Sequence, residues 1–269
     1  MAPRRGDRPV PGFVGSWRTE RTREDNVFRL LCALALTTAG TVALAACDVS
    51  FASFGPQETF RDEAALPSGI TAVRIDVREG TVTVRGGDAK PFLHRTVRYR
   101  DDRPDGATHR VENGVLVLGG CGRDCSASYT VDVPAGVPVR GGAAGGSLHL
   151  HGAGEVDVAT ASGAIRLAGV TGPIDARTSN GRIVGHDLKS ARITAETSNG
   201  DITLVPSVPA DVDAETSNGD ITVTVTGGPY RVTASTGNGD ERIGVPTAPH
   251  AEHRLDLRSS NGDITATTP

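Results

Sequence analysis

The sequence contains few of the residues and none of the short motifs that mark common enzyme sites. Its 269 residues include one tryptophan, three tyrosines and six phenylalanines, and aromatic residues make up 4% of the chain. A Gly-x-Ser-x-Gly elbow, a phosphate-binding loop and a His-Glu-x-x-His pair are all absent, so nothing indicates a serine hydrolase, an NTPase or a zinc protease. Helical periodicity is also absent after residue 46. These absences favour an all-β protein that is not an enzyme.

A basic excess is absent as well. The chain has 28 Lys and Arg residues against 32 Asp and Glu residues, a formal net charge of −4. The first 46 residues hold more arginines than acidic residues, so the rest of the chain is more acidic still. Because nucleic acids and anionic lipids repel an acidic surface, we expect neither as the main partner. The sequence indicates no cofactor.

Cysteine is scarce, and the four that occur fall into distinct places. Cys32 lies inside an apolar segment, Cys47 follows that segment, and Cys121 and Cys125 form the short motif Cys-Gly-Arg-Asp-Cys. Outside the cytoplasm such a close pair usually forms a small disulfide loop. A zinc site would need further Cys or His ligands at short spacing, and none is adjacent. We therefore predict a structural disulfide between Cys121 and Cys125.

The chain has one long apolar run, Leu30–Ala46, which follows Arg29 and ends in Leu-Ala-Ala before Cys47. This ending resembles the bacterial lipobox, and the resemblance implies that Cys47 becomes the first mature residue and carries a lipid. A transmembrane helix and an ordinary secretory signal are the alternatives, but the run is short for a membrane span. We therefore expect an extracytoplasmic protein that is anchored to the cell membrane through Cys47.

The remaining boundaries follow from composition. Met1 is the only methionine, and because Val27 begins a compact basic start to the apolar run, we hypothesise that translation starts at Val27, with Met1 as the alternative. We expect a signal peptide over residues 1–46, a tether without periodicity over 47–67, an irregular β-rich part over 68–138 and a regular repeat array over 139–269.

A six-residue motif, Thr-Ser-Asn-Gly-Asp-Ile, recurs in the second half of the sequence. The motif is complete at Thr197–Ile202 and Thr216–Ile221, and variants of it surround three further Asn-Gly pairs. A period near twenty residues is typical of repeat architectures. The predicted repeat turns are Asn180-Gly181, Asn199-Gly200, Asn218-Gly219, Asn238-Gly239 and Asn261-Gly262.

Apolar residues alternate with polar ones on both sides of each Asn-Gly pair, as in Val212 and Ala214 before one pair and Ile221 and Val223 after it. This alternation predicts two strands with one buried face, joined by a turn in which Asn and Gly tolerate positive φ. Because one such unit cannot bury its apolar face alone, neighbouring units must stack. We expect an all-β fold, a β-solenoid of parallel two-strand repeats of about 19 residues; an antiparallel β-sandwich is the alternative.

One aspartate column is a weak candidate for a metal site. Stacked parallel strands would place these carboxylates about 4.8 Å apart, and oxygen-rich ladders suit calcium. The alternative is a solvated turn in which each aspartate supports the Asn-Gly bend, and the glycine-rich nonapeptide of calcium-binding β-rolls is absent. The residues are Asp201, Asp220, Asp240 and Asp263.

Other side chains offer weaker sites. Glu196 and Glu215 together with the aspartate column have the spacing of a glycosidase pair, but exposed carboxylates lack the burial that raises one pKa. The array also has a single aromatic residue, Tyr230, with which to line a sugar cleft. His149 and His151 share one strand face without an identifiable acidic partner, so we expect both to be exposed.

The repeats resemble those of the bacterial DUF4097 family, whose members are described as proposed adhesins. The resemblance rests on the Ser-Asn-Gly-Asp-Ile blocks, on Ser162–Ile165 and on Tyr129–Pro134, and it extends from Ile70 to the C-terminus. It implies a structural motif without catalytic residues. The repeat at Asn238 departs from the pattern because Glu241 replaces isoleucine, which suggests a bulge or a local slip in that rung. The lipobox and a composition rich in Gly and Arg resemble an actinobacterial lipoprotein.

These features together favour a lipid-anchored extracytoplasmic β-solenoid that acts as a non-enzymatic binding, adhesion or scaffold surface at the cell envelope. A cell-wall glycan or an envelope protein is the expected partner. A polysaccharide-active β-helix enzyme and an envelope-stress sensor subunit are the alternatives.

Overall fold

The computed structural model describes residues 57–100 and 102–269, and this part of the chain forms 21 β-strands. The signal peptide, Cys47 and the first half of the predicted tether lie outside the described residues. No helix within residues 57–100 and 102–269 is long and apolar enough to cross a membrane. In chain order the strands are β1 Glu58–Ala65, β2 Ala72–Glu79, β3 Val82–Gly87, β4 Phe92–Tyr99, β5 His109–Glu112, β6 Val115–Gly119, β7 Cys125–Pro134, β8 Val139–Gly145, β9 Leu148–His151, β10 Val156–Ser162, β11 Ile165–Ala168, β12 Ile174–Asn180, β13 Ile183–Leu188, β14 Arg192–Asn199, β15 Ile202–Pro206, β16 Asp211–Asn218, β17 Ile221–Thr224, β18 Tyr230–Asn238, β19 Glu241–Ile243, β20 His253–Asn261 and β21 Ile264–Thr267.

The strands described form two sheets whose inner faces share one apolar core. Sheet A has the order β1-β4-β7-β3-β9-β11-β13-β15-β17-β21-β19, and sheet B has the order β18-β20-β16-β14-β12-β10-β8-β2-β6-β5. Each repeat contributes one strand to sheet B and the next strand to sheet A. We call such a pair a rung and the residues between its two strands a corner.

Neighbouring rungs pair in parallel and in register. Asn180 lies opposite Asn199, Asn199 opposite Asn218, and Asn218 opposite Asn261, so equivalent residues form columns across the sheet. The prediction of an all-β fold of stacked parallel repeats is therefore confirmed. The alternative of an antiparallel sandwich is wrong for the array, since antiparallel pairing among the described strands is confined to β1, β4, β5, β6 and β7.

The core consists of the apolar columns that the alternation predicts. Ile183, Ile202, Ile221 and Ile264 are fully buried where sheet A begins after each corner, and the facing sheet B strands contribute the small residues Ala176, Ala195 and Ala214. Burying one such isoleucine contributes about 2–3 kcal/mol. Small and large columns thus fit against each other and keep the two sheets close together.

The last two rungs are stacked in the reverse of their chain order. Strands β20 and β21 lie between β16/β17 and β18/β19, so the fourth Asn-Gly repeat ends the array and the fifth lies inside it. Glu241 is opposite Ile264 in unbroken register, and its Oε1 accepts the Thr236 N–H at 3.1 Å. The predicted bulge or local slip at Glu241 is therefore wrong. At the end of the array this position is exposed, so it needs no apolar side chain.

The opposite end is closed by antiparallel strands that we call the cap, made of β1, β4, β5, β6 and β7. Strand β7 continues sheet A in parallel with β3, while β4 and β1 follow it antiparallel. Strand β1 occupies Glu58–Ala65, so the tether predicted for residues 47–67 is wrong over this segment. The strand escapes sequence analysis because its inward side chains are Phe60, Asp62 and Ala64, and the middle one is charged.

Candidate functional site

The predicted repeat turns lie at the corners of the array, where the chain passes from sheet B to sheet A. Glycine supplies the unusual backbone geometry, with φ of +150° at Gly200 and +152° at Gly219. No repeat asparagine has positive φ, since the non-glycine residues with positive φ in the described chain are Asn113 and Asp187. A Cβ at Gly219 would overlap with the carbonyl oxygen of Gly200 on the rung below. The corner glycines are therefore required by close stacking as well as by φ.

The repeat asparagines form a continuous ladder of side-chain amides. Asn199 Nδ2 donates to Asn180 Oδ1, Asn218 Nδ2 to Asn199 Oδ1 and Asn261 Nδ2 to Asn218 Oδ1, each at 3.1 Å. Asn238 Nδ2 completes it by donating to Asn261 Oδ1 at 2.9 Å. The ladder uses the amides to bind neighbouring rungs together, so these residues stabilise the array.

The residue two before each asparagine carries a hydroxyl that bonds to the neighbouring rung, and this residue is buried at every corner except that of Asn238. Thr197 Oγ1 donates to the Gly181 carbonyl at 2.9 Å, and Thr216 Oγ1 donates to the Gly200 carbonyl at 3.0 Å. The hydroxyls thus satisfy carbonyls that would otherwise be buried without a donor. The threonine column thus bonds to glycine carbonyls of the neighbouring rungs.

The aspartate column has a structural partner on each rung. Asp201 Oδ1 accepts the Asp220 N–H at 3.0 Å, Asp220 Oδ1 accepts the Asp263 N–H at 2.8 Å, and Asp263 Oδ1 accepts the Asp240 N–H at 2.9 Å. That last N–H and the Arg242 guanidinium hold the pKa of Asp263 below its ordinary value. Residues 57–100 and 102–269 contain no cluster of three ligands that suits a metal ion. The carboxylates therefore support the corners.

The remaining predicted side chains lie on outer faces and do not converge. Glu196 is more than half exposed, and its Oε2 lies 3.4 Å from Arg177 Nε. His149 Nε2 lies 2.9 Å from Arg166 Nη1, and burial, followed by the charges of Arg166 and His151, lowers the pKa of His149. A cation site is disfavoured beside that guanidinium, and Glu196 lacks the burial that a glycosidase acid requires.

A wide groove lies on the outer face of sheet B, and sequence analysis missed it. It has a volume of about 850 Å³, its floor is made of small side chains, and Asp76, Arg78 and Arg123 form its rim. Neither arginine forms an ion pair with any described residue. We call this recess the outer-face groove; its floor residues are Gly142, Ala144, Ala159 and Ala161. The signal in the sequence was a set of small residues at outward positions of β8 and β10.

The disulfide predicted from sequence lies at one wall of the outer-face groove. Cys121 and Cys125 are at disulfide distance, with Cα atoms 5.7 Å apart. Gly122 and Arg123, between the two cysteines, line the groove. Closing this short loop restricts the positions open to Arg123, so the cysteine pair helps to hold the rim in place.

The cap contains a hydrogen-bonded cluster of charged side chains centred on the buried Arg95. This guanidinium binds both carboxylate oxygens of Asp62 and also donates to Thr108 Oγ1 at 2.9 Å. The bond to Arg95 holds the pKa of Asp62 below its ordinary value, and burial raises the pKa of Tyr129. Burial and the Arg95 charge lower the pKa of His109, whose buried Nδ1 has no partner within the described residues. The paired charges of Asp62 and Arg95 fasten β1 to β4 within the cap.

The repeat geometry agrees with a known family. Residues 147–267, which run from β9 to β21, match the family model described as Toastrack DUF4097. This array is a DUF4097 domain. The expected family is therefore confirmed, and the cap precedes the matched part of the chain.

Solved structures also align with this chain. One is a proposed adhesin from Bacteroides fragilis NCTC 9343, which is 13% identical with a TM-score of 0.43, over 79% of this chain and 97% of that chain. Another is a proposed adhesin from Parabacteroides merdae ATCC 43184, which is 11% identical with a TM-score of 0.43, over 80% of this chain and 98% of that chain. A comparison with curated proteins finds no match.

Proposed function

We propose that the chain is a non-enzymatic binding protein of the cell envelope, held outside the cell by a lipid on Cys47, and that sheet B is its contact surface. The observation that carries the binding role is the outer-face groove. Its floor of Gly and Ala side chains leaves room for an extended ligand, and its rim holds Arg78 and Arg123 without ion-pair partners among the described residues. The proposed ligand is a cell-wall glycan with acidic groups. Support for the lipid comes from the sequence around Cys47.

Asp175 and Asp256, the two described carboxylates of the array with a buried oxygen, are each paired with an arginine, which supports a binding role over hydrolysis. The corner aspartates accept backbone N–H groups, and Glu196 faces solvent beside Arg177. A glycosidase would need one carboxyl with a raised pKa next to an ionised partner. The array therefore offers hydrogen bonds and charges to a glycan without a group that would cleave it.

A sedimentation assay with purified cell walls tests the binding role. We expect the protein to pellet with the walls without releasing reducing sugars, and we expect the double substitution Arg78→Gln with Arg123→Gln to weaken retention at least about fivefold, the size of a lost charged contact. The matched control is Arg61→Gln with Arg98→Gln, which removes the same charge from exposed arginines of β1 and β4 away from the groove. Release of sugars, or equal retention of all three proteins, would contradict the proposal.

The lipid anchor has a separate test. Cells grown with a labelled fatty acid should transfer the label to the wild-type protein, and Cys47→Ser should abolish the transfer while Cys32→Ser leaves a labelled mature protein. Label that persists in Cys47→Ser would refute the anchor without affecting the binding role.

A further inference from the structure

Three arginines without ion-pair partners stand in one line across the outer face of sheet B, away from the outer-face groove. Arg192 begins β14, Arg254 lies near the start of β20, and Arg231 near the start of β18. We infer that this arginine row binds a phosphate group of a linear phosphodiester polymer. The inference rests on the proposed function, in that the polymer belongs to the cell envelope.

Strand register brings the three side chains together. Arg192 lies opposite Asp211 of β16, and Arg254 lies opposite Arg231 on the two outermost strands. Adjacent strands are about 4.8 Å apart. The three arginines, with Asp211 and Asp213, line a recess of about 440 Å³. The row thus forms a concave, positively charged strip at one end of the array.

The single acidic residue within the row is already engaged. Asp211 Oδ1 accepts the backbone N–H of Arg254 at 3.0 Å, and it lies 3.7 Å from His253 Nδ1. Within the described chain, none of the guanidinium groups of Arg192, Arg231 and Arg254 has a carboxylate within ion-pairing distance. The positive charge of the recess is therefore available to a ligand.

Three other arginines on the same face are each paired with a carboxylate. Arg140 Nη2 lies 3.0 Å from Glu155 Oε1, Arg177 Nη2 lies 2.6 Å from Asp175 Oδ2, and Arg258 Nη2 lies 2.7 Å from Asp256 Oδ1. Like charges directly opposite each other on neighbouring strands are destabilising. The Arg231–Arg254 pair is such a case, and a bound dianion or phosphodiester would relieve the repulsion.

The chemistry and surroundings of the row favour a phosphodiester polymer over a membrane. Guanidinium groups present planar pairs of N–H donors that match phosphate oxygens. A flat anionic bilayer would also meet Asp211, Asp213 and the nearby Glu252 on a chain whose net charge is −4. A single polymer strand can place one phosphate in the recess and avoid these carboxylates.

Calorimetric titration of the full-length protein in mild detergent with a synthetic glycerol phosphate oligomer tests the inference. We expect binding that weakens as salt rises, because each phosphate contact releases bound counterions. The double variant Arg231→Gln with Arg254→Gln should bind at least about tenfold more weakly. The matched control, Arg140→Gln with Arg177→Gln, removes the same charge from paired arginines of the same face and should stay within about twofold of wild type. Circular dichroism confirms that each variant is folded.

Three outcomes would overturn the inference. These are the absence of oligomer binding by the wild-type protein, an equal loss in both double variants, and stronger binding to phosphatidylglycerol vesicles than to the oligomer. The groove variant Arg78→Gln with Arg123→Gln should still bind the oligomer. If cell walls retain the protein through the groove but the oligomer does not bind, the inference fails and the proposed function stands.

Discussion

At the scale of single residues, each corner combines three residues with different roles. The glycine lets neighbouring rungs approach, the asparagine joins them through its amide, and the buried threonine satisfies a glycine carbonyl. Each of these two hydrogen bonds contributes about 0.5–1.5 kcal/mol, and bonds of both kinds recur along the array. This recurrence explains why the phrase Ser-Asn-Gly-Asp-Ile is copied so closely.

We predict that Gly219→Ala lowers the free energy of unfolding by about 3 kcal/mol, because the new Cβ would overlap with the Gly200 carbonyl and φ at this residue is +152°. Urea denaturation followed by circular dichroism gives the change. Gly69→Ala is the control, since a Cβ at Gly69 meets no atom within 4 Å, and it should change stability by less than about 0.5 kcal/mol. Equal effects of the two substitutions would show that close stacking is not what the corner glycine provides.

The Asp62–Arg95 pair gives a prediction for acid stability. Because Arg95 lowers the pKa of Asp62 in the folded protein, the pair stabilises the fold above the unfolded pKa of about 3.9, and this contribution is lost as pH falls through the lower folded pKa. Asp62→Asn leaves Arg95, which is 5% exposed, without its carboxylate. We expect this substitution to lower the free energy of unfolding by about 2 kcal/mol at pH 7. Breaking a fully buried pair costs roughly 3–5 kcal/mol, and the expected loss is smaller because Asp62 is 42% exposed.

Urea midpoints measured from pH 7 down to pH 2.5 check this prediction. The gap between wild type and Asp62→Asn should narrow below about pH 4, whereas Glu63→Gln, which removes an exposed partner of His94, should follow the wild-type curve within about 0.5 kcal/mol. A gap that stays constant down to the lowest pH would mean that Asp62 does not act through its charge.

At the scale of strands, the reversed order of the last two rungs decides which side chains are buried. Ile264 of β21 lies between Ile221 and Glu241 and is fully buried, whereas Ile243 of β19 is 36% exposed. A stack in chain order would place Ile264 at the open end. The terminal strand is also short and charged, with Glu241 and Arg242 beside Ile243, which discourages pairing with another chain.

We predict that Ile264→Ala lowers the free energy of unfolding by about 3 kcal/mol and Ile243→Ala by less than about 1 kcal/mol. The difference is expected because shortening a side chain destabilises a protein more when that side chain is buried. Thermal and urea unfolding of the two variants provide the comparison, and each variant serves as the control of the other. A larger cost at Ile243 than at Ile264 would show that the rungs stack in chain order.

The strands of the array and their corners were predictable because alternation and the Asn-Gly phrase depend on neighbours in the sequence. The order of β18 and β20 was not predictable, since both strands carry the same pattern and either can pair with β16. Only Glu241 marked the terminal rung, and its charge had suggested a bulge. Strand β1 was missed because its inward Asp62 is matched by Arg95, 33 residues away.

The binding features were harder to foresee than the fold. The outer-face groove depends on small residues of β8 and β10 meeting a loop between two cysteines, and the arginine row depends on register between strands of three separate rungs. Each arginine alone resembles any solvated surface residue. The information lies in which arginines lack partners, and that is known only after every rung has been placed.

At the scale of the whole molecule, stability is distributed along one direction. Each inner rung contacts the rung before and the rung after it, as in other repeat proteins. The free energy of unfolding is therefore close to a sum of contributions from single rungs and from the interfaces between them. The cap covers one end with antiparallel strands, while β18 and β19 leave the other end with Val232 and Ala234 half-buried. The two ends of the array therefore differ in how well they are protected.

We predict that backbone amides of β12 to β15 exchange hydrogen slowest and those of β18 and β19 fastest within the array. Each central rung bonds to the rungs on both sides: the Ile183 N–H donates to the Asp201 carbonyl, and the Arg182 carbonyl accepts the Ile165 N–H. Opening the terminal rung breaks one interface only. Hydrogen exchange measured by mass spectrometry gives the profile, and repeating it in low urea separates local from global opening. Uniform protection from β8 to β21 would mean that the array unfolds as one cooperative unit. In that case the terminal rung would be as stable as the centre, and half-burial of Val232 and Ala234 would have no measurable cost.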